Sequence, residues 1–90
     1  MTDDLLAIRA KTHGHWPYQS DFAQKLKDLM HQSPNFYEMR AGQREAMEMI
    51  AVKISRILCG DWAESDHWDD LAGYARLGSG EHDGTEPDDT

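Results

Sequence analysis

Lys53 and Arg56 stand one helical turn apart in "AVKISRIL", and further on "SDHWDDLAGY" gathers Asp66, His67, Asp70 and Tyr74 within about two turns. A guanidinium offers a planar fork that suits carboxylate and phosphate alike, and an ammonium offers a point charge to either. The pair therefore has two uses. In one, Lys53 and Arg56 bridge to Asp66 or Asp70 across two packed helices. In the other they are the cationic half of a phosphate site, with Tyr74 or Trp16 stacked on a base and Asp70 accepting from ribose or base donors. His13 and His67 complete this candidate ligand-binding set. Gly73, one turn from Asp70, costs a helix about 1 kcal/mol relative to alanine, so it suggests either close helix packing or the floor of a site walled by Asp70, His67 and Tyr74.

A second constellation is made of acids. Glu45 and Glu48 form ExxE, and Asp66 and Asp69 form DxxD. Carboxylates at i and i+3 share a helix side, so two such pairs facing each other could hold Mg²⁺, polarise a phosphoanhydride and activate water. The simpler account is a solvated face for the glutamates and dipole complementation for aspartates at a helix start. His13, His15, His31 and His67 lack a spacing that would fix zinc geometry. The sequence has no glycine-rich phosphate loop, nucleophile elbow or Cys/His pairing for covalent catalysis.

The elements that must position these groups are helices. Apolar residues recur at helical spacing, and no period-two pattern persists. "TDDLLAIRAK" reads as a first helix capped by Thr2, with Asp3 and Asp4 at its positive end. "THGHWPYQS" reads as an ordered loop pinned by Trp16 and Tyr18, after which Ser20 caps "DFAQKLKDLMHQ". "SPNFYEMRAG" breaks the pattern, and its Phe36, Tyr37 and Met39 are expected to fold back over the core. The third helix, "QREAMEMIAVKISRILC", is the longest, with Gly60 placed as a left-handed cap. Its apolar face carries Met47, Ile50, Ala51, Ile54, Ile57 and Leu58. Met49 and Val52 lie among its charges, which implies that the charged side is covered as well, by the fourth helix or by another copy. Ser65 caps the fourth helix, whose inward side is expected to be Trp68, Leu71, Ala72 and Ala75, and Gly78 ends it. The expected architecture is all-α: a small four-helix, bundle-like domain over residues 1–78 around a central third helix, then a disordered acidic tail over 79–90.

Ninety residues make one domain with a modest core, which favours self-association into a homo-oligomer. The formal charge is −8, but the tail holds five of the 17 acidic residues and none of the 9 basic ones, leaving the body near −3. No basic stripe is present, so direct binding to a nucleic-acid duplex is disfavoured, whereas one phosphorylated small molecule needs only a few cations. A lone cysteine, no signal peptide and no membrane-length apolar run point to a cytoplasmic protein without membrane partners.

The combination "KTHG", "QREAMEMIAVKISRILCGD" and "DHWDDLAGYARLG" resembles a family of short helical proteins from tailed phages and prophages that has no established function. The resemblance spans roughly residues 5 to 77 and rests on His13-Gly14, Lys53, Arg56, "DHWDD" and Gly73-Tyr74. It implies weight on Lys53, Arg56, Asp66, Asp70 and Tyr74 and a host cytoplasmic setting. The ExxE and DxxD pairs resemble the ExxE…ExxD of MazG-like all-helical nucleotide pyrophosphohydrolases, with Asp in place of the second motif's Glu. Three functions follow as expectations. The first is a protein that sequesters a nucleotide or nucleotide-derived signal in counter-defence, without cofactor or catalysis. The second is a Mg²⁺-dependent nucleoside triphosphate pyrophosphohydrolase using Glu45, Glu48, Asp66 and Asp69. The third is an acidic protein-protein inhibitor of a host defence enzyme.

Overall fold

The computed structural model describes residues 2–80, with side chains from residue 5 onward. Most of the acidic tail, including any disorder expected there, lies outside the described residues, as do the side chains of Thr2, Asp3 and Asp4. Five helices form: α1 (Thr2–His13), α2 (Trp16–His31), α3 (Pro34–Glu38), α4 (Ala41–Cys59) and α5 (Ser65–Ser79), with no strand among the described residues. The all-α bundle is as expected, and α4 is its centre, packed against α5, α2 and α1. No described helix is long and apolar enough to cross a membrane.

The central helix is fourth in the chain, not third, because "SPNFYEMR" does not simply break the chain. Ser33 is extended and Pro34 opens a further turn of helix, where its missing N–H costs nothing. This short α3 buries Phe36, whose ring lies 4.7 Å from His31 and meets Tyr37 edge-on at 5.3 Å. Pro17 plays the same part in α2, which starts at Trp16 and not at Ser20. Ser20 is therefore an interior helical residue, its hydroxyl turned back to the Pro17 carbonyl.

Buried apolar residues are few: Ala23, Phe36, Ala46, Ala51 and Ile57. Between α2 and α4 the interior is polar. The Gln19 amide donates to Ser55 Oγ at 2.6 Å, and the Ser55 hydroxyl donates to the Val52 carbonyl at 2.6 Å. Ser55 is fully buried, and burial without such partners would cost a few kcal/mol, about 1–3 on mutational scales.

α5 returns antiparallel along α4, bringing Gly78 against Ala46 and Asp70 against Lys53. Its inward side is His67, Leu71, Tyr74 and Gly78, rotated from the expected Trp68, Leu71, Ala72 and Ala75. Hydrogen bonding decides the rotation. The Trp68 indole donates to the Trp62 carbonyl at 2.9 Å and stays half exposed, while His67 is buried with Nε2 donating to the Thr12 carbonyl at 2.7 Å. Two caps also differ by position: Glu64, not Ser65, accepts from the Asp66 amide, and α5 runs through Gly78 to a left-handed Gly80.

The α1–α2 elbow and the α4–α5 turn cross backbone to backbone. A Cβ on Gly14 would lie 2.5 Å from the Cys59 carbonyl oxygen, and one on Gly60 would lie 2.5 Å from the Thr12 carbonyl oxygen. Gly60 is thus required for close approach and not as a left-handed cap, its φ being −122°. The Asp61 amide adds a bond to the Thr12 carbonyl at 3.0 Å. These main-chain contacts, and not Trp16 and Tyr18, pin the elbow: both rings are more than half exposed.

Candidate functional site

The crossing shapes a cleft of about 710 Å³ on its outer side. Leu6, Arg9 and Ala10 of α1 form one wall, His13 to Pro17 form the elbow, and Arg56 projects from the last turn of α4. A volume of this size suits a small organic ligand, for which about 300–1,000 Å³ is usual. None of the described lining residues is acidic, although the chain has nearly twice as many acidic as basic residues. The start of α2 also faces the cleft. Its first turn contains no acidic residue, and His15 at the cap position makes no side-chain bond to it. Pro17 has no N–H and the Gln19 N–H bonds to the His15 carbonyl, so what that turn adds is the positive end of the helix dipole.

Arg56 has unmet bonding capacity at the edge of the cleft. Its Nε is buried and has no hydrogen-bond partner among the described residues. The neighbouring cation is occupied: Lys53 is buried, and its Nζ lies 3.0 Å from Asp70 Oδ2. This bond with Lys53 holds the Asp70 carboxyl below its ordinary range. The structure thus divides the two cations singled out in the sequence. Lys53 takes the bridge, and Arg56 faces a cavity.

His13 lines the cleft with its ring 5.1 Å from that of His67. Partial burial lowers its pKa below 6.5, and Arg56, His67, Lys53 and Arg9 push the same way. Because a carbonyl only accepts, His67 carries its proton on Nε2. Cys59, beside the crossing, has its thiol pKa raised by desolvation, which leaves it a poor nucleophile.

Of the candidate residues, the cleft collects His13, Trp16 and Arg56, with His67 bracing the elbow behind them. Tyr74 lines a separate apolar cleft of about 260 Å³ with Met39, Gln43 and Met47. Asp66 is exposed in the first turn of α5. Gly73 faces open space, with nothing within 4 Å of a Cβ placed there, so within one chain it neither packs a helix closely nor floors a site. Glu45 is exposed, while Glu48 Oε2 lies 2.8 Å from His31 Nε2. The α4–α5 pairing sets the ExxE pair about two turns along the axis from Asp66 and Asp69. Within one chain the two carboxylate pairs do not meet, and no group of three potential metal ligands gathers among the described residues.

Arg9 and the uncapped start of α2 belong to the cleft and were not singled out in the sequence. Arg9 had only its helical neighbours as context, but "HWPY" carried a signal: proline after an aromatic residue can open a helix as well as a loop. No family model, no curated protein and no solved structure matches the chain.

Proposed function

We propose that this chain binds a nucleotide or nucleotide-derived signal in the cleft at the α1–α2 elbow, without chemical turnover. The observation that carries the reading is the lining: Arg56 and Arg9 border one cleft with no acid among its described lining residues, and the Arg56 Nε, buried beside it, has no partner among the described residues. Arg56 and Arg9 take the phosphate, and Trp16 supplies the ring for the base. Because Asp70 is engaged by Lys53, it does not compete for Arg56.

The resemblance to short phage proteins gives this activity a setting: sequestration of a nucleotide signal in the host cytoplasm, as counter-defence. The functional form is a homo-oligomer. Leu58, Trp62 and Trp68 are each more than half exposed, and further copies of the chain cover them.

Isothermal titration against mononucleotides, cyclic dinucleotides and ADP-ribose derivatives tests the reading. The native protein should bind at least one class, and Arg56→Gln should weaken it tenfold or more, a charge-assisted hydrogen bond being worth about 1.5–3 kcal/mol. Absence of binding across all three classes would refute it.

A further inference from the structure

We infer that the cleft selects a terminal phosphate, a phosphomonoester or pyrophosphate group of charge near −2, over the singly charged diester of a cyclic or internal phosphate. This rests on the cleft being a nucleotide site and names the ligand class it takes. Positive groups reach the cleft from three elements: Arg9 from α1, Arg56 from α4, and the uncapped start of α2, with His13 and His15 at the elbow between them. Among the described lining residues no carboxylate offsets them. A monoanion matches one guanidinium and leaves the other desolvated without a counter-charge. A dianion offers enough charge and enough acceptor oxygens for both forks and a further donor.

His13 is that donor. Arg9 on its own helix, Lys53 and Arg56 on α4, and His67 on α5 face it; of the acids nearby, Asp70 is bound to Lys53, and Asp61 follows the α4 turn, its amide on the Thr12 carbonyl. Partial burial and these cations keep the empty site's His13 neutral near pH 7. A phosphate dianion reverses the local potential, so His13 takes a proton from solvent and donates it in a hydrogen bond to a phosphate oxygen. A diester, with half the charge, draws that proton less strongly. The His67 Nε2–H is donated to the Thr12 carbonyl.

The test is isothermal titration of the full chain at pH 7 with inorganic pyrophosphate, with adenosine and guanosine 5′-monophosphates, and with their 3′,5′-cyclic forms. It is run in several phosphate-free buffers of different ionisation enthalpy. The linear monophosphates or pyrophosphate should bind at least tenfold more tightly than the cyclic forms, and the heat should vary with buffer in the direction of proton uptake. In His13→Gln the uptake should vanish and the preference shrink severalfold. Equal affinity for linear and cyclic forms, or binding by the native protein with no proton uptake, would overturn the inference while leaving the cleft a nucleotide site. If none of these probes binds but a dinucleotide or ADP-ribose does, terminal-phosphate selection is wrong; if nothing binds at all, the reading of the cleft itself fails. Proton uptake is measured on the native chain, so the result stands even if His13→Gln folds poorly.

Discussion

The Lys53 ammonium sits 3.0 Å from the Asp70 carboxylate, with the lysine side chain 9% and the aspartate 52% exposed. One partner is therefore far more desolvated than the other. Removing the exposed partner strands the buried charge, whereas removing both does not. Asp70→Asn should lower the melting temperature clearly. The double variant Lys53→Met/Asp70→Leu should recover most of that loss. A thermal melt of the three proteins checks the order, and a double variant as unstable as the single one would mean that the bond is not the source of the effect.

The glycines divide into two kinds. At Gly14, φ is +93°, and a Cβ would press on the Cys59 carbonyl, while at Gly60 it would press on that of Thr12. Alanine at either position should cost about 2 kcal/mol or more, because backbone atoms have no rotamer by which to yield. Gly73 is helical with open space beside it, so Gly73→Ala should stabilise the chain by up to about 1 kcal/mol. Urea unfolding gives both signs in one series. If Gly73→Ala instead breaks an oligomer in sedimentation velocity, that face is where copies meet.

Ser55→Ala leaves the Gln19 amide buried without its acceptor. The expected loss is about 1–3 kcal/mol, with partial recovery in Gln19→Leu/Ser55→Ala. The midpoint of chemical denaturation measures both.

Acid should destabilise the fold in two stages. His13 has its pKa lowered from 6.5 by desolvation and by neighbouring cations. The unfolded chain therefore takes up this proton first, and the stability it reflects is present above pH 6.5 and lost as pH falls through the lower folded value. Asp70 has its pKa lowered from 3.8 by Lys53, so its contribution is present above pH 3.8 and lost below, as pH falls through the folded value. Melting temperature recorded from pH 8 to pH 3 should fall in both windows, and His13→Gln should flatten the upper one alone.

Periodicity made the helices legible, and the apolar residues among the charges of α4 correctly implied that both its sides are covered. The elbow was not legible. Gly14 and Pro17 read equally well as a loop, and only tertiary contact reveals that Gly14 meets Cys59 while Pro17 opens a helix. The rotation of α5 was hidden for a related reason. A wheel ranks Trp68 above His67 for burial, but the Thr12 carbonyl needs a donor and the Trp62 carbonyl recruits the indole. Of the site, the residue types at Arg56, Trp16 and His13 were visible. Their convergence was not, because it depends on a crossing of main chains that side-chain patterns do not record.

The Gln19–Ser55 bond has a bearing on the cleft some distance away. Greasy surfaces tolerate sliding, but an amide aimed at one hydroxyl does not: a shift of α2 by a single turn would carry the donor about 5 Å past its acceptor and leave it stranded. α2 consequently has one seating on α4. Since Trp16 opens that helix and Arg56 lies one residue beyond Ser55, the same bond sets the separation of Trp16 and Arg56 across the cleft.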